Sequence, residues 1–140
     1  MNIVYELEPG AYAPMYAHED DAGMDLFAPE DFSISPSSNA TIDTGVHIMI
    51  PKGFCGLIVA KSGLNVFKSC TSTGLIDAGY TGTLHVKLYN NNQHTWQFFK
   101  KGDKISQIVI LPVPSVTLVP GDVKSTQTER GNGAFGSTGR

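Results

Sequence analysis

A chain of 140 residues with 41% hydrophobic and 16% charged residues is the size of one compact domain and apolar enough to pack a core, which excludes wholesale disorder. A formal charge of -3 excludes a duplex-coating role, which needs basic stripes, but leaves room for a small polyanion held by a local cluster. No apolar run reaches membrane-spanning length, "MNIVYELEPG" lacks a signal-peptide layout, and Cys55 and Cys70 have no ligand-type spacing. The expectation is a cytoplasmic protein with two reduced thiols, no membrane and no nucleic acid.

In chain order the pattern is β nearly throughout. "NIVYEL", "GVHIMI" and "FCGLIVAK" are short runs rich in β-branched or aromatic residues, and so are "HTWQFF", "KISQIVILPV" and "SVTLV". Between them, "LHVKLYN" alternates Leu84, Val86 and Leu88 inward against His85, Lys87 and Tyr89. Fifteen glycines and eight prolines punctuate the chain as in a sandwich, barrel or jelly roll. No long amphipathic helix is required; one short turn of helix fits after Ser62. From Gly121, "GDVKSTQTERGNGAFGSTGR" is too poor in apolar residues to build a core. It reads as an extended arm, which divides the chain into a body, 1–120, and an arm, 121–140.

Four stretches of the body carry polar groups in places that chemistry could use. In "DAGMDLFAPED", Asp25 lies between Met24 and Leu26, so a strand turns it away from their face. It is either a solvated acidic loop residue or a carboxylate that reaches a phosphate-bound Mg²⁺ through water. In "AKSGL", Lys61, Ser62 and Gly63 follow an apolar strand. A cation, a hydroxyl and exposed N–H groups there make either an ordinary polar turn or an anion-binding concavity.

In "STGLIDAGYTG", Asp77 and Tyr80 flank a turn. They are either a turn former and a strand-end aromatic, or the two walls of a small pocket whose glycines admit a flat ligand edge. In "KKGDKISQIVI", Gln107 breaks an apolar run, and its amide needs backbone or ligand partners. His18, His47, His85 and His94 show no metal-ligand spacing, and no nucleophile elbow is present.

The order of these stretches is more specific than any one of them. "DAGMDLFAP", "PKGFCGLIVAKSGL", "STGLIDAGYTGTLHVKLYN", "KKGDKISQIVI" and "RGNGAFGSTG" resemble the five ordered motifs of the homotrimeric deoxyuridine triphosphatase (dUTPase) family, nearly end to end. The resemblance implies an all-β, jelly-roll-like (β-clip) subunit of a threefold homotrimer, with active sites between subunits. It also implies hydrolysis of dUTP to dUMP and pyrophosphate, which keeps uracil out of DNA and supplies dUMP for thymidylate synthesis.

By the same resemblance, Asp77 orients and deprotonates the attacking water. Leu75, Ile76, Tyr80 and the backbone of His85 hold uracil and deoxyribose, with Tyr80 leaving no room for a ribose 2′-OH. Lys61, Ser62, Gly63 and Gln107 of a neighbour meet the phosphates, and Mg²⁺ rides on the triphosphate with Asp25 near its waters. The arm of a third subunit closes the site: Arg130 contacts phosphate, Phe135 stacks on uracil, and Gly136, Ser137 and Thr138 face the γ-phosphate.

This chain departs from the family pattern at Lys61, where arginine is frequent, and at Cys55, which is given no role. Thr71 is the nearest candidate for a side chain that assists uracil binding in some members. Two other readings stand beside the hydrolase. One is a dCTP deaminase relative, which needs a glutamate by the base; none lies between Glu30 and Glu129. The other is a nucleotide-sensing trimer that binds a regulator protein.

Overall fold

The computed structural model describes residues 1–139. Its elements are β1 (Val4–Leu7), β2 (Met24–Phe27), β3 (Phe32–Ile34), β4 (Ser38–Met49) and β5 (Phe54–Val59). Then come α1 (Ser62–Lys68), β6 (Cys70–Ile76), β7 (Thr83–Asn90), β8 (Gln97–Phe99) and β9 (Lys104–Pro112).

Period-two alternation sets the frame. Leu84, Val86 and Leu88 of β7 are fully buried while His85 and Lys87 face out, as expected for a sheet with one face on the core. Its partner β4 answers with Ile42, Val46 and Ile48 on the same interior side. Every neighbouring pair is antiparallel, in the order β1-β4-β7-β6-β5-β9-β2, with β3 and β8 forming a separate two-stranded sheet. There Phe32 and Phe99 are opposed in register and stacked, their ring centroids 4.7 Å apart.

The curl of the large sheet is made by β6. Its first residues, Cys70, Thr71 and Ser72, pair with β7, whereas residues 73–76 pair with β5. One strand thus serves two layers and turns the corner between them. The layers close over Leu26, Ile58, Ile105 and Ile108, none more than 1% exposed. The result is an all-β, jelly-roll-like β-clip.

Two polar groups are built into this interior. Asn90 at the end of β7 is 1% exposed, and its Nδ2 donates to the carbonyls of Ile34, Ser35 and Thr95 at 3.2, 3.1 and 2.9 Å. Its Oδ1 accepts from Asn92 N–H at 3.1 Å, so the side chain ties β3 and the β7–β8 loop to one point. Ser72 on β6 and Ser106 on β9 share a 2.7 Å hydroxyl contact, and Ser106 also donates to Val59 O at 2.8 Å. Buried polar groups are tolerated because they are satisfied in this way.

The short helical turn expected after Ser62 is α1, seven residues with no buried side chain. It stops at Ser69, whose left-handed φ of 54° ends the helix. Of "HTWQFF" only Gln97–Phe99 is strand, since Asn92 Oδ1 takes the N–H groups of His94 and Thr95 into a loop. "SVTLV" is a correction: residues 113–121 form no strand. Val113 N–H still reaches Gly53 O at 2.8 Å, but Pro114 and Pro120 bracket the run and withhold donors. Val116, Leu118 and Val119 are left exposed, paired with none of the strands among the described residues.

Candidate active site

The hairpin between β6 and β7 is held as a rigid tip. Tyr80 N–H donates to Asp77 O at 3.3 Å, and Gly79 N–H reaches back to the carbonyl of buried Ile50 at 3.1 Å. Gly79 makes this turn at φ 78°, a conformation that side chains resist. The phenolic O–H of Tyr80 donates to Thr83 O at 3.1 Å, and the same carbonyl lies 3.0 Å from His85 Nδ1. Tyr80 and His85 are thereby oriented by one backbone group.

Between them is a cleft of about 300 Å³ lined by Leu75, Ile76, Asp77, Tyr80, Thr83 and His85. Five residues expected from the sequence therefore meet here. Thr83 was missed, because it acts through a carbonyl that every residue type carries. Asp77 is exposed at the tip, where a carboxylate keeps free lone pairs for water. On the outer rim, His85 Nε2 stands 3.6 Å from Asp43 Oδ2. Burial pushes the Asp43 carboxyl up, but the bonds from Gly45 N–H and the Thr83 side chain, with His85 and His47 nearby, outweigh it and hold it below its ordinary value.

A second cluster forms where β2, β5 and β9 adjoin. Asp25 and Gln107 are opposed in register on β2 and β9, and Gln107 is also opposed to Val59 on β5. Gln107 Nε2 donates to Ala60 O at 3.1 Å, and its amide oxygen fills the space beside Gly23 that a β-carbon would need. Ser62 and Gly63 are exposed in the first turn of α1.

Asp25 is no solvated loop residue. Alternation does turn it from the face of Leu26, but both faces of β2 are covered and Asp25 is 2% exposed. Lys61 Nζ hydrogen-bonds its Oδ1. Lys104 Nζ stands 2.7 Å from the buried Oδ2 and forms an ion pair with it. Burial alone pushes the Asp25 carboxyl up; Lys104 and Lys61 together overcome this and hold it below its ordinary value.

Lys104 was missed by sequence reading. It is three residues from Gln107, a spacing that puts two side chains on opposite faces of an unbroken strand. A register shift breaks the strand: Leu26 is opposed to Ser106, but Phe27 to Lys104, and this bulge re-aims the side chain.

These groups do not converge within one chain. The cleft beside Asp77 is lined by none of Lys61, Ser62, Gly63 or Gln107. Thr71 stands apart as well, opposite Tyr89 on the first half of β6. In the arm, Arg130, Ser137 and Thr138 face one another across a separate cleft with Thr128 and Glu129. Local turns hold the arm, such as Ser137 N–H to Ala134 O at 2.7 Å and Gly133 N–H to Arg130 O at 3.0 Å. Beyond Val113, no hydrogen bond among the described residues joins it to the body. Phe135 projects with its ring fully exposed. Among the described residues, no three His, Cys, Asp or Glu side chains group to hold a metal ion, and no helix is long and apolar enough to cross a membrane.

A family model described as dUTPase matches residues 10–139. The deoxyuridine 5'-triphosphate nucleotidohydrolase of Clostridium kluyveri is 41% identical over 140 residues, covering 98% of this chain and 96% of that protein. The dUTPase of Staphylococcus bacteriophage 80alpha, solved with dUPNHPP, superposes with a TM-score of 0.88 at 29% identity, over 99% of each chain. A mutant dUTPase of phage phi11 of S. aureus, described with the coordination of a structural Mg(II) ion, superposes with a TM-score of 0.81 at 28% identity. That match covers 87% of this chain and 97% of the phage protein.

Proposed function

Since the chain belongs to the dUTPase family and is a dUTP diphosphatase, hydrolysing dUTP to dUMP and pyrophosphate, we propose that the cleft beside Asp77 binds the deoxyuridine half of the substrate and activates the attacking water. The observation that carries this reading is that one cleft gathers Leu75, Ile76, Asp77, Tyr80 and His85. Asp77 accepts the proton of a water that attacks the α-phosphorus, and pyrophosphate leaves in line. General-base help of this kind contributes about 10²–10⁴-fold.

Backbone groups of Leu75, Ile76 and His85 pair with uracil, and the ring of Tyr80 packs under the deoxyribose. Cytosine is refused because it leaves buried polar groups unpaired, which discriminates about 10⁴–10⁵-fold. Thymine's methyl is refused by fit, worth about 10–200-fold per methylene-sized group. The deaminase reading is not favoured, since no glutamate lies between Glu30 and Glu129 and the family is that of a hydrolase.

The triphosphate is gripped by a neighbouring copy of the chain through Lys61, Ser62, Gly63 and Gln107. Support comes from their separation from the Asp77 cleft within a single chain and from the positive charge that Lys61 and Lys104 bring beside one aspartate. A homotrimer with shared sites follows, in which the body, 1–120, carries the arm, 121–140, of a third copy over the cleft. Arg130 then meets phosphate, Phe135 stacks on uracil, and Gly136, Ser137 and Thr138 face the γ-phosphate. A fully exposed Phe135 has its apolar surface free for such a base. Thr71 is assigned a supporting role beside uracil.

Family members act with a divalent metal. Here the chain's residues fit only an outer contact: Asp25 has one buried oxygen without a hydrogen bond, but two lysines already balance its charge. Mg²⁺ would therefore ride chiefly on the triphosphate, where it would neutralise charge and fix the phosphate chain, and Asp25 would be the residue to reach its waters. Two free thiols and a nucleotide substrate fit a cytoplasmic enzyme.

The full chain is incubated with Mg²⁺ and dUTP, dCTP, dTTP or UTP in isotopically labelled water. Release of pyrophosphate from dUTP alone, with label in dUMP, is expected. Label in pyrophosphate would overturn attack at the α-phosphorus, and comparable turnover of UTP would overturn the role of Tyr80.

A further inference from the structure

We propose that Lys104 is a positioning residue for the triphosphate: it keeps the buried Asp25 carboxylate compensated, so that Lys61 is free to leave it for a phosphate. The inference rests on the phosphate-binding reading of Lys61 given above.

The geometry sets up a competition for one charge. The Asp25 side chain is 3% exposed, whereas those of Lys61 and Lys104 are 28% and 44% exposed. An ionised carboxylate so deeply buried is costly to leave without a counter-charge. Asp25 is also fixed in place. Its N–H donates to Met15 O at 2.8 Å, its carbonyl accepts from Met15 N–H at 3.4 Å, and its strand is paired to β9. It cannot follow a departing lysine.

Lys61 is the mobile member. It sits at the junction of β5 and α1, in extended conformation, on a flexible stem with one compact charge. A guanidinium can hold a carboxylate and a phosphate that lie apart through N–H groups on separate nitrogens, whereas an ammonium's three N–H groups radiate from one nitrogen and serve both only when both oxygens lie against it. If Lys61 were the sole partner of Asp25, each move towards phosphate would strip the carboxylate of its charge balance. Lys104, seated at the other oxygen at 2.7 Å, removes that penalty. It also leaves the cluster with one more positive charge than negative, a sign that draws a polyanion.

Steady-state kinetics on the full-length protein separate the possibilities. Lys104→Met is expected to raise the KM for dUTP about tenfold or more, while inhibition by dUMP, which lacks the outer phosphates, stays within twofold. Lys104→Arg, which keeps the charge at Asp25, restores the KM. If Lys104→Met does not fold, Lys104→Gln carries the same expectation. Equal losses for dUTP and dUMP, or an unchanged KM for dUTP while Lys61→Met raises it, would overturn the proposal alone. An unchanged KM in Lys61→Met would instead remove Lys61 from phosphate binding, and this inference with it.

Discussion

The ring of Tyr80 occupies the space that a side chain on residue 82 would need: a β-carbon added to Gly82 would lie 2.6 Å from Tyr80 Cζ. The hairpin backbone therefore sets the position of the aromatic wall. Gly82→Ala is expected to push the ring aside and lower the ratio of kcat/KM for dUTP over UTP by about tenfold or more. Tyr80→Phe keeps the ring and loses only the bond to Thr83 O, so its ratio falls less. An unchanged ratio in Gly82→Ala would detach sugar selection from this ring.

Asp77→Asn keeps the shape of the hairpin tip and removes the proposed base. Binding of a non-hydrolysable dUTP analogue is expected to hold within a few-fold, while single-turnover hydrolysis falls by at least about 10²-fold. Near-normal hydrolysis would take Asp77 out of the chemistry.

Among the described residues, truncation after Glu129 removes none that hydrogen-bonds the body. The thermal transition and the assembly state are expected to be unchanged, with turnover nearly lost. Within the full chain, Phe135→Ala weakens closure by about 1–3 kcal/mol if base stacking is its role. Limited proteolysis of the arm with and without nucleotide reads this directly, and equal protection in both proteins argues against stacking.

The acid limb of stability carries the signature of Asp25. Its carboxyl titrates below the ordinary value of 3.8 when folded. The stability it contributes is present above that value and lost as pH falls through the folded one. Urea unfolding of Asp25→Asn is expected to show a shallower fall of stability below about pH 4 than the parent chain. Parallel curves would place the acid sensitivity elsewhere.

Asn90 closes a four-bond junction in the core. Asn90→Ala strands three carbonyls and one N–H, at about 1–3 kcal/mol for each group that water cannot reach. A drop of several kcal/mol in urea-derived stability is expected, and a drop under about 1 kcal/mol would mean that water replaces the side chain.

How far these features are legible beforehand depends on whether they are local. Leu84, Val86 and Leu88 announce their strand because alternation is local, and the glycines around Tyr80 announce a tight tip for the same reason. Asp25 does not announce its burial, since one acidic residue looks alike in a loop and beneath a second layer. The placement of Lys104 depends on a bulge, which shifts the alternation without leaving a residue type to mark it. Asn90 reads as a strand-end polar residue until three carbonyls from other segments converge on it. "SVTLV" has every local property of a strand; what it lacks among the described residues is a partner, since it pairs with none of the sheet's strands.

That unpaired run has a mechanical consequence. The last backbone bond to the body is Val113 N–H to Gly53 O. From Val113 to Arg130 the chain, drawn out, spans roughly 60 Å, against a radius of gyration of about 14 Å for a compact chain of this length. If the arm closes a neighbouring site as proposed, it does so on a tether long enough to reach another molecule, at an effective concentration set by tether length rather than by dilution. Turnover per chain then holds steady on dilution down to the point where the copies separate.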